Sequence, residues 1–184
     1  MKQRFNIFGL LLLVLIVSSC GGVNKIYKSS DPDFKYEMAK QCYAQGQYNN
    51  AAFLLNDIIS SLKGTEKGDE SLFLYAMSKY KAKDYITANE YFKKYYQAYP
   101  TSTHVDEARF YAAMALVETT PLPELDQTDT YNAITELQNF LEISPDSKYA
   151  PVVRKTIFEQ QDKLIEKEYL ASKLYFNLGN YFGN

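Results

Sequence analysis

The sequence predicts an all-α fold, a stack of about three and a half helical hairpins, preceded by an export signal. Three observations carry this. Two stretches align at an offset of 37 residues: Ala39 to Ala51, with Gly46 and Tyr48 inside it, and Ala76 to Ala88, with Lys83 and Tyr85 at the same places. A third line keeps the later half, at Ala133, Leu137, Phe140 and Pro145, and a fourth begins at Ser172, Tyr175, Gly179 and Tyr181. Apolar residues also recur at helical spacing, as at Ala88, Phe92, Tyr95 and Tyr99, and no alternating strand pattern competes. Finally, the joints repeat: Lys63-Gly-Thr65, Pro100-Thr-Ser102 and Pro145-Asp-Ser147 each set a hydroxyl near a helix start, where it can cap free N–H groups. Hairpins of this kind bury their apolar faces against the next hairpin and so build a solenoid.

Taken in order, Met1 to Cys20 reads as a secretory signal. Lys2 and Arg4 make a positive start, and the eleven-residue apolar run Ile7–Val17 falls short of the roughly 20 residues that span a bilayer. Val17-Ser18-Ser19-Cys20, followed by two glycines, resembles a bacterial lipobox, in which the cysteine thiol is lipidated and the signal is cut before it. The resemblance implies residues 1–19 as signal peptide, a covalent lipid on Cys20 and no other cofactor. Residues 20–32 form a tether rich in Gly, Ser, Asp and Pro, and residues 33–184 form the repeat domain, incomplete at its carboxy end. Two or more acyl chains anchor stably. No acid follows Cys20 in Gly21–Lys25, and lipoproteins of this type without an acidic sorting signal go to the outer membrane, facing the periplasm. The expected helices are Asp33–Gln45, Tyr48–Leu62, Lys67–Lys81, Tyr85–Tyr99, Thr103–Glu118, Thr128–Ile143 and Lys148 to about Asn177, the last either one long helix or two with a bend. Pro121 and Pro123 mark an irregular loop over Glu118–Asp129.

Composition removes several function classes. The chain of 184 residues has a net charge of −2, and without the signal it has 165 residues with 18 basic against 22 acidic, a net of −4. That balance argues against nucleic-acid binding, which needs a basic footprint. One histidine, His104, and two cysteines leave little for a metal site or a His-based triad, and no phosphate loop, HExxH, CxxC or GxSxG occurs. Carboxylate pairs such as Asp106/Glu107 read as solvated helix faces. No enzyme and no metal are expected. With Cys20 assigned to lipid, Cys42 is expected as a buried thiol rather than a disulfide partner.

The repeat residues resemble the tetratricopeptide pattern: a small residue on the first helix, a Gly near the turn, an Ala on the second helix and a closing Pro. In such arrays the concave groove is lined by first-helix residues. Carried over by repeat position, these are Tyr36, Lys40 and Tyr43, then Phe73, Met77 and Tyr80, then Phe110 and Met114. Tyr and Met give large contact area at low ordering cost, which suits an extended aromatic-rich segment. The same residues could instead cover a neighbouring hairpin, and both readings stand at this point.

Larger blocks resemble the BamD (YfiO) family of outer-membrane assembly lipoproteins. They are Tyr36-Glu37-x-Ala39 with Gly46-Gln-Tyr48-x-x-Ala51, Asp84-Tyr85-x-x-Ala88-x-x-Tyr91-Phe92 with Tyr99-Pro100-x-Ser102, and the Pro-bearing loop ending Asp126-Gln127. Pro145-x-Ser147-x-Tyr149-Ala150 and Glu168-Tyr169-x-x-Ala171-x-x-Tyr175-x-x-x-Gly179-x-Tyr181 complete them. The resemblance implies a lipid-anchored periplasmic scaffold of the machinery that assembles β-barrels in the outer membrane. Its partners would be unfolded outer-membrane proteins at the amino-terminal repeats and the barrel-forming assembly protein at the carboxy-terminal ones. Family members typically carry five repeats, so the docking repeats for that last partner are expected to be missing. The competing reading is another outer-membrane-anchored repeat adaptor, such as a coordinator of cell division or of the cell wall.

Overall fold

The computed structural model describes residues 29–179. Among them are seven helices: α1 (Pro32–Ala44), α2 (Tyr48–Leu62), α3 (Gly68–Lys81), α4 (Tyr85–Ala98), α5 (Val105–Val117), α6 (Thr128–Ile143) and α7 (Ala150–Asn177). Each packs on the next in sequence, and α1 also touches α3 as α3 touches α5. That is the all-α, tetratricopeptide-like solenoid of hairpins: first helices line one side, second helices the other. Cys20 and the proposed signal and tether up to residue 28 lie outside the described residues, as does Tyr181.

Local chemistry sets the helix ends. Asp31 caps α1, its carboxylate accepting from the N–H of Asp33 at 2.9 Å and of Phe34 at 3.3 Å. Pro32 fits the first turn, so α1 begins one residue before the expected start. α1 ends at Gly46, whose φ of 74° lets its N–H reach Tyr43 O while that of Gln47 reaches Cys42 O. Asp84 caps α4 through the Thr87 N–H at 3.4 Å. The joint hydroxyls act differently from expectation. Thr65 donates backward to Leu62 O at 2.7 Å, closing α2 rather than opening α3. Ser102 and Ser147 accept from the N–H groups of His104 (3.3 Å) and Tyr149 (3.1 Å), so they brace the turns before α5 and α7, which start two residues later than expected. α7 is one continuous helix of 28 residues.

Three apolar clusters run along the stack. Tyr36, Ala39, Leu54, Leu55 and Ile58 join α1 and α2 with Tyr75 of α3. Ala76, Met77, Ala88, Phe92, Tyr95, Ala108 and Ala112 join α3, α4 and α5. Phe110, Ala113, Leu137, Phe140 and Val153 join α5, α6 and α7. Ala39, Ala51, Ala76, Ala88 and Ala133 are fully buried, as close helix approach requires. The Tyr95 hydroxyl donates to Asp69 at the start of α3 and pairs with the Ser102 hydroxyl at 2.7 Å, so the buried phenol keeps its hydrogen bonds. One hairpin further on, Asp106 at the start of α5 accepts from Ser147 in the same way.

Candidate functional site: an aromatic groove on the first helices

The side of the stack formed by the first helices carries a ladder of aromatic edges. Tyr43 of α1 meets Tyr48 edge-on at 5.4 Å. Tyr80 of α3 lies between Tyr85 (5.4 Å) and Tyr111 of α5 (5.0 Å). Tyr111 stacks on Phe92 at 5.7 Å and meets the edge of Phe110 at 5.1 Å, and Phe110 stacks on Tyr149 at 4.3 Å. Phe73, nearer the joints, stacks on His104 at 4.7 Å. Edge-to-face pairs of this kind hold the rings rigid beyond their area burial, by roughly 0.5–1.5 kcal/mol each.

The eight residues expected in the groove divide. Tyr43, Phe73, Tyr80, Lys40 and Met114 are half-buried, each with part of its surface open. Tyr36 (2% exposed), Met77 (6%) and Phe110 (8%) belong to the core clusters, which corrects their expected exposure. Tyr36 is closed off because its hydroxyl donates to Glu70, which also binds Lys40 at 2.8 Å, while Lys40 and Lys67 sit over its ring. Phe110 faces α6 and Tyr149, and its neighbour Tyr111 takes the groove position. The 37-residue offset missed Tyr111. The signal for it was the stripe Glu107, Tyr111, Met114 and Glu118 at helical spacing.

Burial pushes the pKa of these phenols further above the neutral range. Burial, then the nearby Glu118 carboxylate, pushes Tyr80 up to about 12. Burial also raises Tyr43 and Tyr111, with Glu107 adding to both. At neutral pH the groove therefore offers apolar ring edges and hydroxyls able to donate or accept. Glu107 lies 3.5 Å from His104 at one margin and Lys148 lies over Tyr149 at 4.8 Å at the other. At the upper end, the hydrogen bond from Lys40 holds the Glu70 carboxyl below its usual range. Cys42 is a free, half-buried thiol whose pKa burial raises, a modest departure from the fully buried side chain expected. Among the described residues no three of His, Cys, Asp and Glu converge as a metal site, and no helix is long and apolar enough to cross a membrane.

The comparisons with known proteins point one way. A putative outer membrane protein assembly factor BamD of Aquifex aeolicus (strain VF5) is 29% identical over 182 residues, which cover 97% of this chain. The chain spans 60% of the length of that relative. The family model described as YfiO, outer membrane lipoprotein, matches residues 29–183, which takes in all seven helices. With hairpin repeats and a match that takes in all the described residues, this protein belongs to the YfiO family of outer membrane lipoproteins.

Proposed function

We propose that the chain is a lipid-anchored scaffold on the periplasmic face of the outer membrane. It receives segments of unfolded outer-membrane proteins in its concave groove and contributes to their insertion with the barrel-forming assembly protein. The observation that carries this reading is the row of half-buried, neutral tyrosines (Tyr43, Tyr80 and Tyr111) on three successive first helices. An extended strand presents side chains and unpaired backbone groups together. Ring edges accept the first and phenol hydroxyls the second, and the rings lose little freedom because they already brace each other. The BamD relative is named as an assembly factor for outer membrane proteins, which supports the same class of client. The chemistry is binding alone, with no catalytic step.

The test is binding of peptides from the carboxy termini of outer-membrane barrels to the full chain. Replacing Tyr43 and Tyr80 together with Ala is expected to weaken binding at least about tenfold, since buried aromatic contacts at interfaces contribute more than about 1 kcal/mol each. Unchanged binding removes the groove from the function. Cys20→Ser is expected to release the protein from membranes, read by fractionation. Cross-linking in cells is expected to capture the barrel-forming assembly protein; capture of cell-division or cell-wall proteins in its place would turn the reading to the other adaptor class.

A further inference from the structure

The groove is not uniform in charge. At one end Glu107 has cationic groups beside it. His104 lies 3.5 Å away, and Lys148 has its pKa raised, by Tyr149 foremost and then by Glu107. The other end holds Glu118. It follows Tyr111 by seven residues and Met114 by four, so it shares their face of α5. Across the groove it meets the preceding hairpin: burial first and the Glu118 carboxylate second raise the phenols of Tyr80 and Tyr85.

No cation balances Glu118. It enters none of the ion pairs among the described residues. Lys79 is bound to Asp84 at 3.0 Å, and Lys81 and Lys83 are exposed. Lys163 donates to Thr120, two residues along, but burial alone lowers its pKa and no carboxylate acts on it. Glu118 also stands at the C-cap of α5, where free carbonyls already concentrate negative charge, and the last turn has no basic residue.

The rings beside it are bare in the same sense. Elsewhere this chain lays its own cations on tyrosines: Lys40 and Lys67 over Tyr36, Lys94 over Tyr91, Arg109 over Tyr96. Among the described residues none lies over Tyr80, Tyr85 or Tyr111. Yet these three half-buried rings touch in a row, with centres 5.4 and 5.0 Å apart. Clustered rings beside a carboxylate without a counter-ion make a receptor for a cation. The rings attract it through their quadrupoles, and the carboxylate takes the charge.

We propose that Glu118, with Tyr80, Tyr85 and Tyr111, forms a subsite for a basic side chain, arginine above lysine, carried by the extended segment that the groove receives. The inference rests on the groove reading given above and adds what a preferred segment contains. Arginine leads because its planar guanidinium can stack on a ring and pair with a carboxylate together. A segment without a basic residue binds through ring contacts alone, so Glu118 ranks clients rather than admits them.

The experiment is titration of the full chain, in nonionic detergent, with two labelled aromatic-rich peptides of roughly eight residues, long enough to cross three first helices. One carries a central arginine. The other carries citrulline there, which keeps the shape and loses the charge. The arginine peptide should bind roughly tenfold more tightly, and the margin should shrink as salt rises. Glu118→Gln should remove the margin by weakening the arginine peptide, so that the two bind alike. Glu142→Gln, which takes an exposed acid from α6, should leave the margin standing; its loss there would reduce the preference to overall charge and overturn the subsite. Equal binding of the two peptides to the unaltered chain overturns the subsite and leaves the groove reading in place. A margin that survives Glu118→Gln overturns it too and assigns the preference to another carboxylate. If neither peptide binds, the groove reading itself falls, and the subsite with it.

Discussion

The α3–α4 hairpin and the second half of α7 both carry large apolar side chains at helical spacing, in opposite surroundings. In the hairpin, Ala76, Ala88, Phe92 and Tyr95 are wholly enclosed, and neighbours on both sides supply the walls. In α7 the buried residues are Ala150, Val153, Thr156 and Gln160, all in its first half. Beyond them Ile165 and Tyr169 continue the face that Phe158 begins, at i, i+7 and i+11, each at least 63% exposed. The lesson is that an apolar stripe on a helix states a capacity for burial, and only a neighbour realises it. In a solenoid each helix takes its stability from the adjacent ones, so stability is expected to fall along α7 while helicity does not.

The sharpest way to break this comparison is to remove one side chain from each region. Phe92 touches Phe73 (5.9 Å between ring centres) and Tyr111 (5.7 Å) with no access to solvent. Phe92→Ala leaves a void no neighbour can fill and should cost about 3–5 kcal/mol in denaturant unfolding of the full chain. Ile165→Ala removes a side chain that already faces water, and should cost about 0.5 kcal/mol or less. Equal costs would mean that the second half of α7 is packed in solution, and the contrast between the regions would fall.

A smaller effect tests how the packed region closes on itself. Gly68 opens α3 at the joint with α2. A Cβ there would lie 2.5 Å from Leu62 O and 2.8 Å from the Tyr99 hydroxyl. Ala is the better helix former by about 1 kcal/mol, so propensity alone predicts that Gly68→Ala stabilises. The clash with a backbone oxygen reverses the sign, because α2 would have to move from α3. We expect a net loss of about 1–3 kcal/mol, with the loss concentrated in hydrogen-exchange protection of α2 and α3. A rise in melting temperature would show that the joint yields freely.

Much of this fold was legible because its determinants are local. Ala51 and Ala88 mark the helix crossings, Gly46 the first turn, and Pro100 and Pro145 the joints, and each is read without knowing what lies across the stack. Helix ends missed by one or two residues where a turn of backbone bonds, as at Ser102 and Ser147, intervened between hydroxyl and helix. The groove was legible only in part. Transfer by repeat offset gave Tyr43 and Tyr80, whose hairpins are alike in length. It misplaced Phe110, because α5 is built on Ala108, Ala112, Ala113 and Ala115, which let it settle close to its neighbours and turn Phe110 towards Phe140 and Tyr149. Which of two adjacent aromatics faces out depends on that rotation, and rotation is a tertiary property. Tyr36 was misread for a related reason: the ions that close over it, Glu70 and Lys67, come from the next hairpin.

The smallest expected effect lies at the turn of the packed hairpin. Lys83 occupies the place that Gly46 holds one repeat earlier, with φ of 65° against 74°. The hydrogen bonds are the same in both turns: Lys83 N–H reaches Tyr80 O and Asp84 N–H reaches Lys79 O, as Gly46 and Gln47 do with Tyr43 and Cys42. A side chain in this left-handed region costs about 1–2 kcal/mol, which glycine avoids. Glycine in turn gives the unfolded chain more freedom, worth about 0.4–1 kcal/mol against folding. Lys83 is exposed and its side chain makes no ion pair among the described residues, so little else is lost. The difference leaves Lys83→Gly stabilising by roughly 0.5 kcal/mol, and the reverse change, Gly46→Lys, destabilising by a similar amount. Thermal unfolding of the two variants side by side checks both signs at once. If Lys83→Gly destabilises, the lysine stem is packing on the turn, and the two hairpins differ at a place where their backbones are alike.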